Sequence, residues 1–337
     1  MGSPSHPKLL APLRIGAVEA PNRVVFGPHE TNLGRRRTIS DRHVAYYRRR
    51  AAGGAGIVIV EEASVHDSDW PYERAPLATD AGPGWAQVAD ACHAEGSLVL
   101  AALGHAGGQG TSHWSQRELW APSRVPEVNS REVPKWMEPE DIDAVVRGFA
   151  RAARTAVEAG CDGVDLNAGQ YSLLRQFLSG LTNQRDDAWG QDRPKLLRDV
   201  IVAVRAAVGD EKVVALRLSC DELAPWAGIT PEQAPEIAAA LAADAGDARI
   251  DLLTVVRGSI FSVSATRPDG HTPAGFNLEL ARAVRAAVAG SSAGRVPVVA
   301  QGSIVDVDQA EWALAEGMAA AVEMTRAQLS DADLVAK

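Results

Sequence analysis

The chain has 337 residues, 46% of them hydrophobic and 23% charged, with a formal net charge of -9. A chain of that size can bury a large core, as one big barrel or as two domains. Its negative balance argues against a surface built for nucleic acid or anionic lipid, since neither polyanion gains Coulomb energy by approaching it, and favours an enzyme acting on a small molecule.

The opening segment, Met1–Gly16, has no basic stretch leading into an apolar core, and no later run reaches the roughly 18 apolar residues of a membrane span. It is expected to be a short N-terminal capping segment, and the protein to be cytoplasmic. Eight short β-branched or aliphatic runs follow, predicting strands at Val24–Phe26, Ile57–Val60, Leu98–Leu103, Gly163–Leu166, Val213–Leu218, Asp251–Val256, Val296–Ala300 and Ala319–Glu323. Between them, apolar residues at i, i+3, i+4 spacing predict helices over Asp141–Ala159, Arg193–Val208, Pro231–Ala243, Leu278–Ala289 and Asp308–Glu316. Pro122–Pro139, with four prolines, is the longest irregular connection, and a loop that long following the third strand suggests a lid or binding loop.

Strand alternating with helix implies a parallel sheet, because parallel neighbours need a crossover connection. An open dinucleotide-binding sheet should show GxGxxG after its first strand, yet that segment reads Gly27-Pro28-His29-Glu30-Thr31-Asn32. Eight units in one domain length therefore predict an α/β fold closed as a (β/α)8 TIM barrel. Cys92, Cys161 and Cys220 form no CxxC pair, so neither a disulfide framework nor a cysteine-held cluster is suggested, and no metal site is expected.

In such barrels the chemistry sits at the C-terminal ends of the strands, and those ends are polar here. They carry Pro28 and His29; Glu61 and Glu62; His105; Asn167, Gln170 and Tyr171; Arg217; Gly302 and Ser303; and Thr325 and Arg326. Arg217 alternates with apolar neighbours, which puts a cation where a barrel interior should be. Unpaired, it would cost several kcal/mol, so either a structural ion pair or an anionic ligand must accompany it. Gly302, Ser303, Thr325 and Arg326 supply small-residue turns and a guanidinium at the strand-seven and strand-eight ends, where barrels commonly hold a phosphate. Together these features describe a phosphorylated cofactor lying across the mouth.

The residues also resemble a known family, the Old Yellow Enzyme and 2,4-dienoyl-CoA reductase group of FMN oxidoreductases. Pro21–Pro28 resembles its NRhhhxP opening, Tyr46–Gly56 its YYxxRAxGGxGLI stretch, and Ala159–Asp165 its AGxDGVE. Gln176–Asp187 is similar to QFLSPxTNxRxDxxG, while Val296–Gly302 and Arg326–Leu334 extend the match over nearly the full chain. The resemblance implies a single FMN-binding domain over residues 1–337, with NAD(P)H as electron donor. It assigns Arg217 to the flavin N1/C2 carbonyl, Gly302 and Arg326 to the phosphate, and Pro28 and Glu62 to the ring.

Departures from the pattern matter equally. The glutamine that usually bonds the flavin is Ala102, the paired histidines are Asn167 and Gln170, and the proton-donor tyrosine column holds Ser172, with Tyr171 one place earlier. Amides can donate hydrogen bonds but cannot deliver a proton as phenol or imidazole can. Dienoyl-CoA reductases also lack the histidine pair, and the wording Asn-Ala-Gly-Gln-Tyr resembles the branch associated with the mycofactocin redox system. The expected activity is reduction of an alkene conjugated to a carbonyl, held by Asn167 and Gln170, with Tyr171, Ser172, water or His271 supplying the proton. The alternatives are an amine dehydrogenase or N-demethylase of the same fold, and a non-catalytic flavin-binding subunit. No iron–sulfur segment or nucleotide-binding domain follows the barrel, so either such domains were removed or electrons arrive from NAD(P)H or a redox partner directly. A homo-oligomer is compatible with all of these.

Overall fold

The computed structural model of the protein describes residues 5–292 and 294–337. Eight parallel strands form a closed barrel: β1 (Val24–Phe26), β2 (Ile57–Ser64), β3 (Leu98–Gly104), β4 (Gly163–Ala168), β5 (Val213–Ser219), β6 (Leu252–Val256), β7 (Val298–Gln301) and β8 (Ala321–Glu323), each paired with the next and β8 with β1. The connecting helices are α1 (Asp41–Ala52), α2 (Ala78–His93), α3 (Pro139–Glu158), α4 (Lys195–Val208), α5 (Ala234–Ala243), α6 (Leu278–Ser292) and α7 (Val307–Ala315), with α8 (Thr325–Ser330) after the last strand.

Strand parity divides the core in two. In β5, Val214, Leu216 and Leu218 face the helices, whereas Val213 and Ala215 join Val25, Ile57, Ile59, Leu100, Leu252 and Val299 inside the barrel. Both faces are covered, which is why the strands read as continuous apolar runs. The barrel floor is closed by an antiparallel hairpin, Leu13–Ile15 with Val18–Ala20, whose Leu13, Ile15 and Ala20 belong to the interior cluster. This is the expected capping segment, turned through Gly16 at φ +54°.

The strands extend further toward the mouth than the apolar runs suggest: β2 takes in Glu61 and Glu62, β3 Gly104 and β4 Asn167. Hydrophobicity stops where the floor gives way to the site, but the hydrogen-bonded ladder does not. Between β2 and β3 the register jumps from Val60↔Ala101 to Ala63↔Leu103, a bulge that sets Glu61 and Glu62 against one residue and sends two consecutive carboxylates to different places.

The Pro122–Pro139 connection, expected to be a lid or binding loop, lines a small separate pocket with Gly108, Gln109 and Phe261. None of its residues lines the cavity at the barrel mouth. Arg185, from the TNQRDD segment, donates to the carbonyls of Pro122 at 3.2 Å and Met137 at 2.7 Å, lies 4.2 Å from the Trp136 ring, and is held by Asp187. Among the described residues no helix is long and apolar enough to cross a membrane.

Candidate active site

A cavity of about 480 Å³ opens at the C-terminal end of the barrel, within the range of small-molecule sites. Arg217 rises into its base from β5 and is paired: Nη2 donates to Glu323 Oε2 at 2.7 Å, and Nε to Asp165 Oδ2 at 3.3 Å. Burial alone would lower the guanidinium, but the two carboxylates outweigh it and hold its pKa above the ordinary value. Asp165 is pushed by burial up to about 6 against the pull of Arg217. The structural ion pair therefore exists, and yet it is incomplete. Arg217 Nη1 makes no hydrogen bond among the described residues, and Asp165 Oδ1 is buried without a partner.

Above this base lies Glu62, released into the mouth by the β2 bulge and crossing Gly104, where an added Cβ would meet its carboxyl carbon at 2.2 Å. Asn167 Nδ2 donates to Glu62, while Asn167 Oδ1 accepts from Gly169 N–H at 2.8 Å. Burial, reinforced by the Asp69 charge, pushes the Glu62 carboxyl up to about 8 despite the Asn167 hydrogen bond. Its neighbour Glu61 turns the other way, onto a set of donors: the buried His43 Nε2 at 2.9 Å, and the half-buried Tyr72 Oη at 2.8 Å and Thr31. The backbone N–H of Ser40 donates to His43 Nδ1 at 3.0 Å, so the ring proton sits on Nε2 and points at Glu61.

The β7 and β8 ends form a cradle. Gly302 has φ +146°, and an added Cβ would meet Asn277 Cβ at 2.6 Å, so only glycine fits. Arg326 donates to Ser303 Oγ at 2.6 Å and to the Pro268 carbonyl at 2.7 Å; Thr325 Oγ1 accepts from Gly27 N–H at 2.9 Å. The amide N–H groups of Gly302, Ser303, Thr325 and Arg326 find no acceptor among the described residues. Unpaired amides beside a guanidinium are what a phosphate requires.

The sequence-predicted residues thus converge. Pro28, Glu62, Asn167, Gln170, Tyr171, Arg217, Thr325 and Arg326 line one cavity, and Gly302 and Ser303 adjoin it through Gln301 and Arg326. The two decisive arginines, Arg217 and Arg326, share that cavity. Two proton-donor candidates do not serve. Ser172 is the buried N-cap of the short helix Leu173–Leu178, accepting from Leu174 N–H at 3.0 Å while its hydroxyl donates to the Asn167 carbonyl. His271 lies exposed on its loop and lines none of the cavity. Tyr171 does line it, with the Arg267 guanidinium 6.0 Å from its ring.

Several cavity residues escaped the sequence reading: Tyr72, Asp165, Arg267 and Glu323. Asp165 and Glu323 could have been found, because both share the inward parity of Arg217 on their own strands. Tyr72 and Arg267 sit on loops, where no periodicity reports direction.

Residues 8–337 match the NADH:flavin oxidoreductase / NADH oxidase family. The chain belongs to that family. It is 31% identical over 330 residues to a metal reductase of Desulforamulus reducens, covering 97% of this chain and 48% of that protein. It is 33% identical over 343 residues to the N,N-dimethylglycine/sarcosine dehydrogenase of Chromohalobacter salexigens, covering 98% and 48%. Among solved structures, a 2-naphthoyl-CoA reductase complex superimposes with TM-score 0.89 at 28% identity, covering 98% of this chain and 52% of that one. An Old Yellow Enzyme homologue from Zymomonas mobilis superimposes with TM-score 0.81 at 26% identity, covering 97% and 90%. The chain spans about half the length of the curated relatives it matches first. FMN is the cofactor, and the residues fit it: free amides and Arg326 for its phosphate, and the unbonded Nη1 of Arg217 for an electron-rich edge.

Proposed function

We propose that this flavin barrel reduces a C=C bond conjugated to a carbonyl, with NAD(P)H as the source of electrons and Glu62 as the proton donor. The observation that carries the reading is Glu62: a carboxyl inside the mouth, tethered by Asn167 and kept protonated at neutral pH by its surroundings. Bound FMN supplies the hydride that such an alkene accepts at its β-carbon. Asn167 and Gln170 each spend one amide hydrogen within the protein, on Glu62 and on the Arg257 carbonyl at 3.1 Å, and each keeps a second for a substrate carbonyl. Polarising that carbonyl lets the α-carbon take the Glu62 proton, so hydride plus proton complete the reduction. Arg217 offers Nη1 to the negative charge of the reduced cofactor. Ala102 in place of a polar side chain leaves this part of the wall apolar.

A second reading has its own observation. Glu30, Glu62, Asp165 and Glu323 all line the mouth, and burial holds Glu30 above its usual carboxylate range. An acceptor-rich cavity suits a cationic amine, and one relative is named for oxidising N,N-dimethylglycine and sarcosine. Anaerobic mixing separates the two. If NADPH or NADH bleaches the bound flavin and 2-cyclohexenone or a dienoyl thioester restores its colour, alkene reduction stands. Bleaching by an N-methylated amine with release of an aldehyde would establish amine oxidation instead, and a yellow protein inert to every reductant would point to a non-catalytic subunit.

A further inference from the structure

Beside the mouth lies a second and larger cavity, about 970 Å³, which the proposed chemistry leaves unused. Its wall carries Arg35, Arg36, Arg42 and Arg74 together with Trp70 and Trp114. None of those four arginines forms an ion pair among the described residues, although the chain as a whole has a net charge of -9. Asp41 and Glu73 are the acids on the same wall, so the cavity keeps a positive excess.

The arginines are presented by a costly turn. Arg35 and Thr38 pair across it, with Thr38 N–H donating to the Arg35 carbonyl at 3.0 Å, and Arg36 and Arg37 both take left-handed backbone conformations, φ 52° and 59°. Asn-Gly is the usual occupant of such a pair. Here Arg37 tucks inward, its guanidinium 4.6 Å from the Trp70 ring and bonded to the carbonyls of Asp69 at 2.7 Å and Ala75 at 3.1 Å. Gly34 lets the turn press against Arg74, where an added Cβ would lie 2.2 Å from a carbonyl oxygen. The inward arginine anchors the turn, and Arg35 and Arg36 are left exposed over the cavity.

Two loops join this cavity to the mouth. After β1, residues 28–30 line the mouth and residues 33–36 line the second cavity; after β2, Pro71 and Tyr72 line the mouth while Trp70, Glu73 and Arg74 line the other. Guanidinium groups select phosphate by charge-assisted hydrogen bonds, and indole rings offer faces for a purine. We propose that this cavity binds the phosphorylated adenosine half of the nicotinamide donor, the 2′-phosphate lying among Arg35, Arg36 and Arg42, and so selects NADPH over NADH. The inference rests on the reading that a nicotinamide dinucleotide reduces the flavin.

Calorimetric titration of the flavin-loaded protein with adenosine 2′,5′-bisphosphate tests the site without any turnover. We expect saturable binding that is stronger than for 5′-AMP, and that weakens at least about tenfold in Arg35→Ala, Arg42→Ala and the turn-compatible Arg36→Gly, with flavin content unchanged. In turnover the same variants should raise the KM for NADPH by a similar factor and leave that for NADH in place. Binding no tighter than inorganic phosphate, or unaltered by all three substitutions, overturns the proposal and leaves an anion-attracting face only. Tight bisphosphate binding in a protein whose flavin neither NADPH nor NADH bleaches would refute the donor reading and keep a phosphonucleotide site.

Discussion

The two ends of this barrel are built from the same strands by opposite rules. At the floor, inward positions hold Ile57, Leu100, Val213 and Leu252, sealed by Leu13 and Ile15 of the hairpin; toward the mouth, inward positions hold Asp165, Arg217 and Glu323, and the bulge in β2 shifts Glu62 to join them. The floor is apolar area removed from water, worth about 25 cal/mol per Å². The mouth is charge held away from water and balanced only in part. A barrel can afford that because one end carries the stability while the other is left strained for ligand.

The contrast is sharpest for Arg217. Arg217→Met leaves Asp165 and Glu323 facing each other without their cation, and removing one partner of a buried ion pair costs about 3–5 kcal/mol. The variant should melt well below the parent and purify colourless, read by calorimetry and visible absorption. Leu100→Ala, at the floor, should cost about 2–5 kcal/mol for its cavity and yet retain flavin. If the two variants lost flavin equally, the division of labour between the ends would be wrong.

Next in size is Glu62. Its carboxyl is protonated in the native state up to about pH 8 and in the unfolded chain only to its ordinary value of 4.5. Folding therefore keeps a proton that the unfolded chain releases, so the associated stability is complete below about 4.5 and lost as pH rises toward 8. If Glu62 is the acid, turnover should fall across the same upper limit. Glu62→Gln should lower kcat by about 10²-fold, flatten the alkaline limb of the pH–rate profile and relieve the alkaline loss of stability. A limb that persists unchanged in Glu62→Gln assigns the proton to another group, with Tyr171 the next to test.

The same division explains what could be read in the sequence. All eight strands and the five marked helices lie where periodicity put them, because floor and outer wall obey the hydrophobic pattern. The turn at Gly302 and the guanidinium of Arg326 were legible as well, since both sit at strand ends whose direction the fold fixes. What stayed hidden depends on pairing between elements distant in sequence. The Arg217–Glu323 contact spans 106 residues, and the Asn167–Glu62 contact spans 105 through a bulge that no local pattern announces. Pro122–Pro139 hid its anchorage for a related reason: its length suggested a lid or binding loop, while its fastening comes from Arg185, some fifty residues on.

The smallest effect is the most informative about Ser172, which the sequence resemblance sets against the family's tyrosine. Its hydroxyl caps a helix by accepting from Leu174 N–H at 3.0 Å and donates to the Asn167 carbonyl, so it has no proton to give a substrate. Ser172→Ala removes that cap, and a lost serine N-cap costs about 1 kcal/mol. We expect a melting point lower by about 1–2 °C, with kcat and its pH profile within about twofold of the parent. Ser172→Tyr asks the converse question, since a phenol at this position has to leave the buried cap and either enter the mouth or break the helix. A kcat collapse in Ser172→Ala with the melting point unchanged would put the hydroxyl back into the chemistry and take Glu62 out of it.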